Sequence, residues 1–90
     1  MPITFDAAKS EWNRQERGMP FTMAERFDFD TALVREDVRE TYAEPRFQAL
    51  GKIGREVVFL VFSPTEDGFR VISLRKAAKQ KHSVWLARHP

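Results

Sequence analysis

The chain has 90 residues, 42% hydrophobic and 31% charged, a balance that excludes a disordered polypeptide and leaves room for one core spanning residues 1–90. It has no cysteine, which excludes disulfides and thiolate metal sites and points to a reducing cytoplasm. The net charge of +2 conceals a division: residues 1–45 carry six Lys/Arg against ten Asp/Glu, −4, and residues 46–90 carry nine against three, +6. A basic half of this kind points to a polyanionic ligand, with a solvated mixed surface as the bland alternative. No apolar run reaches the roughly 20 residues that cross a bilayer and no signal-peptide pattern opens the chain, so no membrane partner is expected.

Ile3-Thr4-Phe5 alternates and reads as a short edge strand. Asp6 is an expected N-cap for a helix over Ala7 to Arg17, with Gly18 at its C-terminal end. The apolar face of that helix is thin, mainly Ala8 and Trp12. After the bend Met19-Pro20-Phe21, Thr22-Met23-Ala24-Glu25 fits a capping box and predicts a short helix through about Phe27, with Phe21, Met23, Ala24 and Phe27 in the core. Two strands are expected over Thr31 to Val38 and Glu44 to Ile53, and Gly51 and Gly54 frame a turn. Val57 to Phe62 is an unbroken run of β-branched, aromatic and aliphatic residues that predicts a strand buried on both faces. Asp67-Gly68 reverses the chain into a strand over Phe69 to Leu74, and Lys76 to about Arg88 reads as a final helix. The expected fold is α+β: a four-stranded antiparallel sheet plus the short N-terminal strand, two N-terminal helices and one C-terminal helix.

These residues resemble the BrnT toxins of bacterial type II toxin–antitoxin systems. The resemblance runs through Phe5-Asp6, Lys9, Asn13, Gly18, Phe21, Ala24 and Phe27, then Glu44, Arg46, Leu50, Gly51 and Gly54-Arg55. It finishes in Arg70-Val71-Ile72-Ser73, Arg75 and Ala77, which is similar to a family signature of the form RIISAR-x-A. The resemblance implies a RelE-like ribonuclease fold, RNA cleavage that inhibits translation, and neutralisation by a cognate BrnA-like antitoxin. It further implies contact with operator DNA only through the antitoxin's ribbon-helix-helix part. The chain departs from the family at three places. It has Glu16-Arg17-Gly18 for Lys-His-Gly, Glu40-Thr41-Tyr42 where a second histidine is usual, and Lys81-His82 for Glu-Arg.

RNA cleavage without a metal needs a base on the 2′-hydroxyl, cations on the phosphorane and an acid for the leaving oxygen. The two histidines, His82 and His89, lie near the C-terminus, and His82 reads as a surface residue. Phosphate stabilisation by arginine must then carry much of the rate, because a planar guanidinium clamps phosphate through two hydrogen bonds. Arg75 is the first candidate catalytic residue, followed by Arg46 and Arg70. Strand alternation is expected to turn Arg70 away from Arg75, while Arg75, at a strand–helix junction, escapes strict alternation. Lys9, Arg17, Arg55, Lys76 and Lys79 are candidate RNA-binding cations. Tyr42 is a weak acid–base candidate. The paired acids Asp28 and Asp30, or Glu36 and Asp37, lack a third ligand at metal-binding spacing, so neither a metal nor another cofactor is expected. Two further readings stay open: a catalytically weak relative that pairs with an antitoxin, and a nucleic-acid-binding module with no catalytic step.

Overall fold

The computed structural model describes residues 2–90. The first helix, α1 (Ala7–Arg17), begins and ends as its sequence dictates. The Asp6 carboxylate accepts from the Lys9 amide at 3.0 Å, and Gly18, at φ 68°, donates its N–H to the Arg14 carbonyl at 2.9 Å. A left-handed residue costs roughly 1–2 kcal/mol when a Cβ is present, so glycine suits this position.

The inward side of α1 is polar, however, and not the expected pair Ala8 and Trp12. Its buried residues are Ser10 and Asn13, and Trp12 is 53% exposed. Backbone hydrogen bonding decides this. Ser10 Oγ accepts from the Phe21 amide at 2.9 Å, while Asn13 Nδ2 donates to the Met19 and Leu74 carbonyls at 2.6 and 2.8 Å. Buried backbone groups need such partners, so a polar helix face can be the inner one.

The second helix is a 3-10 helix (Phe21–Arg26) rather than an α-helix opened by a capping box. Thr22 lies inside it, and Pro20 precedes it without a side-chain cap. Phe21, Ala24 and Phe27 are all buried, and their three-residue spacing matches the 3-10 period.

The strands are β1 (Ile3–Thr4), β2 (Leu33–Glu36), β3 (Phe47–Ile53), β4 (Glu56–Pro64) and β5 (Phe69–Lys76), in the order β1-β5-β4-β3-β2. The fold is α+β as expected, but the sheet has five strands and is mixed. β1 runs parallel to β5, and the other pairs are antiparallel. Gly68 makes the parallel pairing possible: a Cβ there would lie 1.7 Å from the Pro2 carbonyl oxygen. That oxygen accepts from the Phe69 amide.

Several boundaries move for local reasons. The Asp28 carboxylate accepts from the Asp30 amide and the Thr31 hydroxyl, holding a turn that delays β2 to Leu33. Asp37 accepts from the Arg39 amide at 3.2 Å, so the chain leaves the sheet after Glu36 and rejoins it at Phe47. The β3–β4 turn is Gly54-Arg55, and Gly51 lies inside β3. β5 continues to Lys76, opposite Val58, which delays the last helix, α2, to Lys79–Arg88.

β4 is buried from Val57 to Ser63, and its alternate residues feed two cores. On one face Val58, Leu60 and Phe62 pack with Phe69, Val71, Leu74, the 3-10 helix and Met19. On the other, Val57, Phe59 and Val61 pack with Leu50 and Trp85 of α2. Among the described residues no helix is long and apolar enough to cross a membrane.

Candidate nucleic-acid interface

The face of the sheet beneath α2 is divided. Near α2 it is apolar, and towards the other end of β4 it becomes polar. The register identifies the polar residues. Phe47 stands opposite Phe62, so Arg46, one position earlier, continues the register opposite Ser63. Ser63 in turn pairs with Arg70, and Arg70 with Thr4. The Asp37 amide donates to the Arg46 carbonyl at 2.7 Å, extending the same row by one strand. Asp37, Arg46, Ser63 and Arg70 therefore form one cross-strand row. It lies on the Trp85 side of the sheet, because Phe47 and Phe62 point to the other face. Arg46 and Arg70 are two strands apart, about 10 Å between their backbones.

Arg75 shares this face, contrary to the expectation from alternation. Val61 pairs with Ser73 but Phe62 pairs with Val71, so Ile72 is an extra residue, a β-bulge. The extra residue returns Arg75 to the side of Arg70. Nor does Arg75 sit at a strand–helix junction: it is within β5, opposite Phe59. Its guanidinium lies over the Phe59 ring at 5.8 Å, and Lys81 Nζ lies over the same ring at 4.5 Å. A cavity of about 250 Å³ between α2 and the sheet is lined by Arg35, Lys81 and Arg88 over Leu33, Leu50 and Phe59, with no carboxylate in its lining.

The remaining candidates are scattered. Arg17 reaches the edge of β5 that β1 leaves uncovered, donating to the Leu74 carbonyl at 3.3 Å and the Ser73 hydroxyl at 3.5 Å. Its guanidinium also lies over Trp12 at 5.2 Å. Lys9 is exposed in the first turn of α1, beside Asp6. The Asp6 carboxyl is held below its ordinary value, first by the Lys9 amide and then by the positive charges of Lys9 and Arg70. Arg55 is in the turn at the opposite end of the sheet from Arg46, and Lys76 pairs with Glu56 there at 3.9 Å. Lys79 is exposed at the start of α2. The structure thus gathers Arg46, Arg70 and Arg75 on one face, with Arg17 at its rim, and leaves Arg55 and Lys76 away from the row.

Sequence reasoning named Tyr42 and Asp37 but missed how they are arranged around Arg46. Its guanidinium stacks on the Tyr42 ring at 4.0 Å, and the Tyr42 hydroxyl donates to Asp37 Oδ2 at 3.3 Å. The Asp37 side chain is fully buried and paired with Arg39 at 2.6 Å. The Arg39 hydrogen bonds hold its carboxyl well below the usual carboxylate range, with Gln48 adding to the effect. Gln48 itself accepts from Arg35 Nε at 2.9 Å. On its outer side Arg46 faces a pocket that Glu36, Glu40 and Glu44 line with Asp37 and Tyr42. An ionised, buried Asp37 paired to arginine is an anchor rather than a base. Among the described residues no group of three or more His, Asp or Glu is arranged to hold a metal ion.

Two buried side-chain polar atoms among the described residues have no hydrogen-bond partner, and both are in the row: Arg46 Nε and Ser63 Oγ. A buried polar group left bare costs about 1–3 kcal/mol. One sequence signal could have found Ser63. It is the first polar residue after the apolar run, on the parity of Val57, Phe59 and Val61, inside a strand buried on both faces.

Neither histidine hydrogen-bonds to a residue of the row. His82 is exposed on α2, and His89 is stacked on Trp85 at 3.6 Å with its ring nitrogens 2.9 Å from the Trp85 and Thr31 carbonyl oxygens.

No curated relative and no solved structure matches the chain. A family model, described as ribonuclease toxin, BrnT, of type II toxin–antitoxin system, matches residues 5–81, from just before the N-cap Asp6 to the first turn of α2. That span includes β1's exit, the whole row and Arg75, and on this match the chain belongs to the BrnT family of ribonuclease toxins of type II toxin–antitoxin systems.

Proposed function

We propose that residues 1–90 act as one cytoplasmic, metal-independent endoribonuclease domain of RelE-like type, which cleaves RNA, inhibits translation and is neutralised by a BrnA-like ribbon-helix-helix antitoxin. Operator DNA is then reached only through that antitoxin. The observation that carries this reading is the gathering of Arg46, Arg70 and Arg75 on one face of the sheet. None of the three is in an ion pair among the described residues. Attack of a 2′-hydroxyl on phosphorus builds negative charge on the phosphorane oxygens as the 5′-oxygen departs. Preorganised guanidinium groups stabilise that charge, and removing one such donor costs about 10²–10³ in rate. The Phe59 ring under Arg75 and Lys81, and the cations of Arg35 and Arg88, give a neighbouring strand of RNA a basic, partly apolar track.

The second reading is a catalytically weak relative that pairs with its antitoxin or binds nucleic acid. That neither histidine hydrogen-bonds to a residue of the row favours it. One experiment separates the two. Induced expression of the wild type should arrest bacterial growth, and purified protein should cleave RNA in EDTA, while Arg75→Ala should relieve the arrest without loss of fold. Normal growth with abundant folded wild type would remove the toxin reading and leave the pairing module. Cleavage that stops with chelator would overturn the metal-free mechanism.

A further inference from the structure

Ser63 occupies a position that the rest of β4 gives to apolar side chains. It is 0% exposed, its hydroxyl has no partner, and the adjacent unpartnered atom in the row is Arg46 Nε. Arg Nε is a donor only, and a serine hydroxyl both donates and accepts. An oxygen that accepts from both at once would satisfy them together. On the other side of Ser63 stands Arg70, half-buried and in no ion pair among the described residues. Two neutralising guanidinium groups flank one hydroxyl across three adjacent strands, and directly opposite residues on such strands lie about 5 Å apart. That spacing suits the oxygens of a single tetrahedral anion.

We infer that Arg46 Nε and Ser63 Oγ, with Arg70 beside them, form a phosphate-binding subsite, and that Ser63 supplies a neutral hydrogen bond to the phosphate oxygen. The phosphate is a phosphodiester of the RNA backbone, an identification that rests on the ribonuclease reading. The anion site itself does not rest on it. Arg46 and Arg70, on either side of the buried hydroxyl, are half-exposed, so the anion meets them first. The free protein then keeps a bare hydroxyl in its interior because the ligand, rather than the fold, uses it.

This separates stability from binding. In the free protein Ser63→Ala removes a hydroxyl that bonds to nothing, so its melting temperature should equal or exceed that of the wild type. Melting is measured in inorganic phosphate and in chloride at matched ionic strength. The wild type should melt higher in phosphate, because a ligand that binds only the folded state stabilises it. Ser63→Ala should lose most of that rise, and its RNA cleavage should fall about 10²–10³-fold in kcat. The inference is overturned if the wild type shows no phosphate-specific rise. It is also overturned if Ser63→Ala keeps the rise but melts lower in chloride, which would mean that a bridging water holds the hydroxyl as part of the fold. A wild type that shows the Ser63-dependent rise but cleaves no RNA would keep the anion site and remove the ribonuclease reading. A wild type that cleaves, beside a Ser63→Ala variant that cleaves equally, would do the reverse.

Discussion

One face of the sheet carries Leu60, Phe62, Phe69, Val71 and Leu74 beneath the 3-10 helix. Phe29 meets Phe27, Phe62 and Phe69 there, ring edge to ring face, within 4.8–5.5 Å. The other face carries Val57, Phe59 and Val61 under Trp85 and then, along the same strand, Ser63 between two arginines. Both faces are made from alternate residues of the same strands, so the backbone hydrogen bonds are common to them. The difference lies in what the side chains are for. The first face is sealed and aromatic, and it stabilises. The second is sealed by α2 over only part of its length, and the rest holds the unpaired cations with the buried, bare hydroxyl between two of them. A small domain can support such a costly row because the opposite face of the same strands is dry and well packed.

The comparison breaks if changes on the sealed face leave stability intact. The largest effect is expected at Leu60, which is 0% exposed. Leu60→Ala should cost about 2–5 kcal/mol in urea unfolding, a large part of the roughly 5–15 kcal/mol that holds a domain together. Gly51→Ala comes next, because a Cβ at this position lies 2.6 Å from Phe27 Cζ. Overpacking of this kind costs about 1–3 kcal/mol, read as a lower urea midpoint at an unchanged slope.

The smallest of these stability effects is expected at Asp37, where the two functions of the second face meet. Its folded carboxyl ionises below the ordinary 3.8 because of Arg39. The stabilisation is therefore complete above about pH 4 and is lost as the pH falls towards the lowered value. Asp37→Asn should melt below the wild type at pH 7, and the gap between the two melting temperatures should start to narrow below about pH 4 and keep narrowing as the pH falls further. A gap that stays constant across that range would show that Asp37 acts by packing and not by charge.

Much of the fold was legible because its signals are local. Asp6 and Gly18 bound α1 by capping alone, and the run Val57 to Phe62 has no reading except a strand covered on both sides. What could not be read depends on distant partners. Asn13 is inside because the Leu74 carbonyl, 61 positions away, needs a donor. The parallel direction of β1 depends on Pro2 meeting Phe69. The candidate site was chosen by residue type, since arginines suit phosphate, and Arg46, Arg70 and Arg75 share a face. The hydroxyl between two of them was not, because serine at the end of an apolar run also reads as the start of a turn. Likewise Tyr42 and Asp37 acquire meaning only from the stacking and hydrogen bond that tie them to Arg46 and Arg39.

The extra residue at Ile72 changes how spacing in this chain should be counted. Arg70 and Arg75 are an odd number of positions apart, which in a regular strand means opposite directions, yet the bulge makes that interval behave as an even one. A relative that lacked one residue there, with its two arginines four apart, would present them to the same side. Insertions and deletions at this point can therefore be neutral for the direction of the cations, while a substitution that merely straightened the strand would reverse one of them. Parity belongs to the ladder, and the ladder here skips a rung.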